Sequence, residues 1–180
     1  SAPAGYGKSI LISCWMESSG RPNAWLSLDK EDNNSRRFAT CFLGAIRSVF
    51  PEAVARSFDM ANDSDVLLIN QLSNSLSDEL RHIEEKFILV LDDVHHIRNI
   101  SIFEMIRSLL QHPPANMHLV LIGRRDPFLP LSGFRAQNQI TEIRTTDLQF
   151  LPEETAIPLK EALKKEVDLS LAAAWTAKTE

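Results

Sequence analysis

Ala2-Pro3-Ala4-Gly5-Tyr6-Gly7-Lys8-Ser9, at the start of the chain, matches the phosphate-binding P-loop pattern, with Ala in place of its first Gly. Two glycines let the backbone curl so that successive N–H groups point at phosphate oxygens, and the dipole of the following helix adds positive potential. Lys8 is placed to reach the β- and γ-phosphates, and the Ser9 hydroxyl is placed to ligate Mg²⁺. The residues predicted to contact a nucleotide are Ala4, Gly5, Tyr6, Gly7, Lys8, Ser9 and Ile10.

A Gly-containing turn before an ordinary helix is the simpler interpretation of this stretch, so a second motif is needed to decide. The strand that precedes such a loop is expected before Ser1, which makes the chain look truncated inside its first domain.

Residues 87–91 supply the second motif, because they form a wholly apolar run of strand length that ends in Asp92 and Asp93. A P-loop needs an acidic residue at the tip of a buried strand to hold magnesium through water, and Asp92 is predicted to be that Walker B residue. Asp93 is predicted to orient or activate the attacking water. Taken alone, Asp at a strand end is often only a turn former, but the two motifs come in the correct order. His95 and His96 follow and are predicted to be solvated loop side chains.

A cationic side chain follows the next apolar run, residues 118–122. In many P-loop ATPases the tip of this strand carries a residue that senses the γ-phosphate. Arg124 is the first candidate and Arg125 the second, since a guanidinium there would stabilise charge on the transferring phosphoryl group. A plain pair of surface arginines is the alternative.

Apolar runs alternate with helical patterns along the chain, which indicates an α/β fold with a mainly parallel sheet. The runs at 87–91 and 118–122 are apolar on both faces, as in strands covered by helices on each side. Predicted strands are residues 24–28, 87–91, 118–122 and, more weakly, 140–144. Helices are predicted from the apolar sets Ile10, Leu11, Cys14, Trp15; Phe38, Phe42, Ile46, Val49; Ile69, Leu72, Leu76, Leu80, Ile83; and Ile102, Phe103, Ile106, Leu109, Leu110.

Composition sets wider limits on the class of protein. The 180 residues, 44% hydrophobic and 24% charged, suit a globular domain and exclude a disordered chain or a coiled coil. A net charge of -5 lacks the basic excess of a nucleic-acid-binding surface. Two cysteines make no disulfide framework, and no Cys/His cluster suggests zinc, so a reduced, cytoplasmic location is expected. No apolar run approaches the roughly 20 residues of a membrane span, so no membrane contact is expected.

Several sequence blocks, spread over nearly the whole chain, come in the order of a known family. They are Ala2 to Ser9, Trp25-Leu26-Ser27-Leu28-Asp29, Asp32-Asn33, Arg37-Phe38, Leu91-Asp92-Asp93-Val94-His95, Arg124, Asp126-Pro127 and Asp147-Leu148-Gln149-Phe150. The Walker motifs among them are generic, whereas the Trp-Leu-Ser-Leu-Asp and Arg-x-Asp-Pro blocks are more specific. With these blocks the sequence resembles the nucleotide-binding domain of the large ATP-binding LuxR-type transcriptional regulators of the maltose-activator type, which belong to the signal-transduction ATPases with numerous domains (STAND).

The resemblance implies a three-layer αβα P-loop NTPase core over residues 1–150 and the start of a helical arm over residues 151–180, both truncated. It implies a weak ATPase serving as a switch: ATP favours a self-associating active state, ADP a resting state, and slow hydrolysis resets it. It also implies an inducer bound on a distant repeat domain and DNA bound through a C-terminal helix-turn-helix, both absent from this chain. Arg135 and Arg144 are implied to lie on a surface that meets nucleotide or a neighbouring domain. Leu151 and Pro158 depart from the family pattern.

Three other functions stay open at this point. The chain could bind nucleotide without hydrolysis, although Asp93 and Arg124 argue against that. It could be a metabolic P-loop phosphotransferase, although no acceptor-binding signature is visible. A direct DNA-binding module is disfavoured by the acidic charge.

Overall fold

The structure, a computed structural model, describes residues 1–63, 69–149 and 154. The chain divides into two compact units, Ser1–Glu142 and Ile143–Glu180. The sequence-based boundary at residue 150 falls outside the described residues and stays a prediction. The helical arm expected over residues 151–180 also lies outside them, apart from Glu154, which is helical.

The described elements alternate as the sequence predicts. The strands are β1 (Asn23–Ser27), β2 (Phe87–Asp92) and β3 (Met117–Leu121). The helices are α1 (Lys8–Ser19), α2 (Ser35–Arg47), α3 (Ala55–Asp63), α4 (Ile69–Leu80), α5 (Ile100–Gln111), α6 (Leu131–Ala136) and α7 (Thr145–Leu148). Two 3₁₀ turns, Glu31–Asn33 and Val94–His96, follow β1 and β2.

The three strands form a parallel sheet in the order β1-β2-β3. Ala24 pairs with Leu89, and Leu89 pairs with Leu119. β2 is buried at every residue because it lies between two strands and two helix layers. β3 is less covered: His118 is exposed although its ring contacts that of Trp15, with centroids 5.4 Å apart. Leu119 and Leu121 pack against the core on one face of β3, and Val120 packs on the other. The expectation of two covered faces is therefore confirmed for β2, and for β3 the cover is partial.

Alternation along β2 creates the three layers. Phe87, Leu89 and Leu91 belong to the larger core cluster, together with buried residues of α2, α4 and α5. Ile88 and Val90 point to the opposite face, where they pack with Met16 of α1. Successive side chains of a strand point to opposite faces, so one apolar strand holds both helix layers. The α/β class with a parallel sheet between helices is confirmed.

Three of the predicted helix faces are confirmed. Phe38, Phe42 and Ile46 of α2 are fully buried, and the Asn34 side chain caps this helix by accepting the Arg37 N–H at 3.0 Å. Asn99 caps α5 in the same way through the Ser101 N–H. Leu72, Leu76 and Leu80 of α4 and Ile102, Ile106 and Leu109 of α5 are also buried.

The face expected for α1 is not the buried one. Ile10, Leu11 and Trp15 are exposed, whereas Met16 is buried. The helix is apolar on most sides, so the spacing of its apolar residues does not indicate which side meets the sheet.

The weaker prediction, of a strand at residues 140–144, is wrong, because these residues form no strand. The flanking backbone donors have local partners instead. Gln139 N–H donates to the Phe134 carbonyl, and Arg144 N–H donates to the Asp147 carboxylate, which starts α7. In the described residues no helix has the length and apolar composition that crossing a membrane requires.

Candidate nucleotide-binding site

The turn before α1 has the conformation that the P-loop pattern predicts. Gly5 and Gly7 have φ values of +90° and +65°, in the region that residues with a Cβ rarely enter. Gly7 occupies the N-cap position of α1 and offers no side-chain cap to it. The first N–H groups of α1 therefore keep their capacity to bind an anion.

The remaining loop residues line the same turn. Lys8 Nζ donates to the Pro3 carbonyl at 2.6 Å, so the ammonium group bends back over the loop. Ala4 and Ile10 are exposed, and Tyr6 is half-buried. The Ala2 N–H donates to the Gly123 carbonyl at 3.3 Å, which ties the start of the loop to the end of β3.

Ser9 and Asp92 bring the two predicted motifs together. Ser9 Oγ donates to Asp92 Oδ2 at 2.8 Å across 83 positions of sequence. The other carboxylate oxygen, Oδ1, accepts the Asp93 N–H at 2.8 Å, and Asp92 is only 8% exposed. Helix α1 packs on the sheet so that its first turn lies beside the carboxyl end of β2. A Mg²⁺ ion fits this donor set, because it prefers oxygen ligands and keeps several waters in its shell.

Asp93 has a strained backbone at the point where β2 ends. Its φ of 58° and ψ of 33° are left-handed, a conformation uncommon outside glycine but several-fold enriched for Asp. The next residue anchors this turn, because Val94 N–H donates to the Ile122 carbonyl at 3.0 Å. The Asp93 side chain is 47% exposed. Strain of this kind, next to Asp92 at the end of a buried strand, is a reason to suspect function.

His95 is not the solvated loop residue that the sequence suggested. Its side chain is 8% exposed, and Nδ1 lies 3.6 Å from Asp93 Oδ1, which is too long for a hydrogen bond. Within the described part of the chain, this nitrogen is a buried polar atom without a hydrogen-bond partner. Burial lowers the pKa of His95 below its ordinary value, and repulsion from His96, Arg124 and Arg125 adds to this. His95 is therefore neutral at pH 7, with its ring 4.2 Å from that of His96.

Arg124 and Arg125 are both exposed and follow β3 directly after Gly123. Because β2 and β3 are parallel, these two residues follow the same edge of the sheet as Asp93. The structure does not favour either arginine over the other as the residue that senses the γ-phosphate. Arg135 makes a bidentate pair with Glu142, at 2.8 Å for both contacts, and Arg144 lies at the start of α7.

Gly123, for which the sequence predicts no role, lies where the chain passes close to the turn after β2. A Cβ there would lie 3.1 Å from both the Arg125 carbonyl and Val94 Cγ2, and 3.6 Å from the His95 nitrogen. We expect Gly123→Ala to lower the free energy of unfolding by about 1–3 kcal/mol through this crowding. Urea denaturation would measure the change, with Gly133→Ala, whose Cβ would meet open space, as control. Equal stabilities for the two variants would contradict the close approach.

Comparisons with known proteins show the family of this chain. Residues 1–122 match the AAA ATPase domain family. The HTH-type transcriptional regulator MalT of Klebsiella pneumoniae is 36% identical over 154 residues, which are 85% of this chain and 17% of the relative. MalT of Yersinia pestis is 34% identical over 148 residues, 82% of this chain and 16% of the relative. The chain thus spans about a sixth of the curated relatives it matches. The resemblance found in the sequence is confirmed, and the chain belongs to the AAA ATPase domain family, in the form found in the MalT-type regulators.

Proposed function

We propose that this chain binds ATP with Mg²⁺ and hydrolyses it slowly, as the switch domain of a signal-responsive transcriptional regulator. The observation that carries the proposal is the 2.8 Å contact between Ser9 and Asp92. It joins a glycine turn that can hold phosphates to an acidic strand end that can hold their metal.

Nucleotide binding is assigned to the loop and the first turn of α1. The N–H groups around Gly5 and Gly7 would surround the phosphates. Lys8 would exchange the Pro3 carbonyl for phosphate oxygens, a stronger charge-assisted contact. Ser9 and, through water, Asp92 would hold Mg²⁺. The ion supplies neutralisation of phosphate charge.

Hydrolysis is assigned to the edge formed by Asp93 and the loop after β3. Asp93 would accept a hydrogen bond from the attacking water, and the neutral His95 ring lies beside its carboxylate without a hydrogen bond to it. Arg124, with Arg125 as the second candidate, would stabilise charge on the transferring phosphoryl group. A slow rate is expected because Asp93 is half exposed and its contact with His95 is long, so this edge is not preorganised.

The regulatory role rests on the relatives, whose name describes HTH-type transcriptional regulators. We infer that ATP favours self-association and ADP a resting state. DNA would bind through a helix-turn-helix, and an inducer through a repeat domain, both elsewhere in a longer protein. A cytoplasmic location fits the free cysteines Cys14 and Cys41.

Two alternatives make different predictions for the same experiment. A domain that only binds nucleotide predicts affinity without turnover. A metabolic phosphotransferase predicts turnover that rises when a small-molecule acceptor is added.

The test compares the full-length protein containing this chain with its Lys8→Ala variant. Losing one charge-assisted contact of about 1.5–3 kcal/mol is expected to weaken ATP binding by about 10- to 100-fold. Stability without nucleotide should change little, because the Pro3 carbonyl released by the substitution belongs to an exposed residue. Calorimetric titration with ATP and ADP, and phosphate release under saturating ATP, provide the measurements.

Lys30→Ala is the matched control, since Lys30 is an exposed lysine in the loop after β1. ATP binding that is equal in all three proteins would refute the assignment of the loop. Binding without phosphate release above the Lys8→Ala level would leave a nucleotide-binding domain and exclude the ATPase.

A further inference from the structure

The loop after β1, residues 29–34, contacts the turn after β2 through one side chain. Asn33 Nδ2 donates to the His96 carbonyl at 2.9 Å, and Asn33 Oδ1 accepts the Arg98 N–H at 2.7 Å. These bonds join positions 63 and 65 residues apart. No function assigned above uses them.

The two backbone groups that Asn33 binds lie on either side of Ile97, which is 2% exposed. One amide thus satisfies both the carbonyl before and the N–H after a buried residue, as a neighbouring strand would. Asn99 extends the contact, because its Nδ2 donates to the Asn33 carbonyl at 2.7 Å and to Ser35 Oγ at 3.0 Å.

The loop that carries Asn33 is fixed by hydrogen bonds of its neighbour, the buried Asp32. Asp32 is 3% exposed, and its Oδ2 accepts the Asp29 N–H at 2.8 Å. Its Oδ1 accepts Arg37 Nε at 2.9 Å, and this hydrogen bond raises the pKa of Arg37. Asn33 therefore presents its amide from a fixed support.

The turn that Asn33 holds is the one that carries Asp93 and His95. Its beginning is fixed by the Val94 N–H bond to Ile122 at 3.0 Å, and its end by Asn33. We propose that Asn33 is a positioning residue for hydrolysis, which keeps the turn 93–97 closed so that His95 stays buried beside Asp93. This proposal rests on the proposed ATPase function. The hydrogen bonds of Asn33 given above go to residues outside the phosphate loop, so nucleotide affinity should not depend on them.

Two substitutions in the full-length protein test the proposal. Asn33→Ala removes both side-chain bonds to the turn, together with the bond from Nδ2 to the Lys30 carbonyl within the loop. Asn33→Asp keeps an acceptor for the Arg98 N–H but cannot donate to the His96 carbonyl. Both variants are expected to lose between about 10- and 100-fold in kcat for phosphate release, since small misplacements of reacting groups have effects of this size. The Kd for ATP should stay within about twofold, because the contacts that would hold phosphate are intact.

Asn34→Ala is the matched control, because Asn34 is the adjacent amide and caps α2 instead of touching the turn. This variant should lower Tm but leave kcat unchanged well below Tm. The accessibility of His95 to diethylpyrocarbonate, followed by peptide mass spectrometry, gives a readout that needs no activity. It should rise in both Asn33 variants and stay at the wild-type level in Asn34→Ala.

The outcomes separate the two proposals. If the wild-type protein has no turnover, the ATPase assignment fails, and the labelling still reports whether Asn33 closes the turn. Unchanged kcat and unchanged labelling in folded Asn33 variants would overturn the positioning role. A parallel loss of kcat, ATP affinity and Tm, as a general defect in folding would give, would overturn it too.

Discussion

Phosphate release is expected to fall by about 10²- to 10⁴-fold when Asp93 is replaced with Asn, the range typical for loss of a general base. The substitution keeps the shape of the side chain but removes the charge that would accept a proton from water. Affinity for ATP is expected to change by less than about twofold, since a group that acts mainly in the transition state contributes little to ground-state binding. Single-turnover phosphate release and calorimetric titration would measure the two quantities separately.

The stability of this variant distinguishes lost chemistry from lost structure. Asn enters the left-handed region readily, so the backbone of residue 93, with φ at 58°, is expected to be unstrained by the change. Denaturation should therefore give the wild-type free energy of unfolding within about 0.5 kcal/mol. Asp78→Asn, at a carboxylate 3.8 Å from Arg81 on the exposed side of α4, is the control for removing one negative charge. A wild-type rate in Asp93→Asn would exclude Asp93 as the base.

Much of this fold could be predicted because apolar periodicity reports burial directly. The run at 87–91 has no polar residue, and β2 is indeed buried on both faces. Periodicity fails where burial depends on a neighbouring segment. α1 is apolar on most sides, so its pattern does not select a buried face. Residues 140–144 contain only two apolar side chains, and Arg144 bonds to Asp147 of the following helix instead of to a strand. Short helices such as α3 and α6 were not predicted, since they are too short for a period to be seen.

The parts of the site that could be predicted are those that depend on residue type and on the order of the motifs. Glycines, a lysine and an acidic strand end indicate a phosphate site, and Ser9 does meet Asp92. The burial of His95 and the reach of Asn33 to the turn after β2 depend on packing between distant segments, which no local pattern contains.

Asp92→Asn is expected to abolish the part of ATP affinity that depends on Mg²⁺. The amide can still accept the Asp93 N–H through its oxygen, and its NH₂ can donate to Ser9 Oγ, so the fold should tolerate the change. The negative charge that holds the ion is lost. In the wild-type protein, replacing Mg²⁺ with EDTA should weaken ATP binding by about 10- to 100-fold, the size of one charge-assisted interaction. In the variant, binding with and without EDTA should be equal.

The roles of the two adjacent carboxylates are distinguished by measuring the effect of EDTA on ATP affinity and the rate of phosphate release in each variant. Asp92 is buried and hydrogen-bonded to Ser9, whereas Asp93 is half exposed beside His95. If Asp92 holds the metal and Asp93 acts on the attacking water, EDTA should still weaken ATP binding in Asp93→Asn. The Asp93→Asn variant should then keep full Mg²⁺-dependent affinity for ATP but show no turnover. A residual effect of EDTA in Asp92→Asn would mean that the ion is held by Ser9 and phosphate alone. The hydrogen bond between Asp92 and Ser9 would then serve only to fix the first turn of α1 against β2. The assignment of Asp92 to the metal would have to be withdrawn.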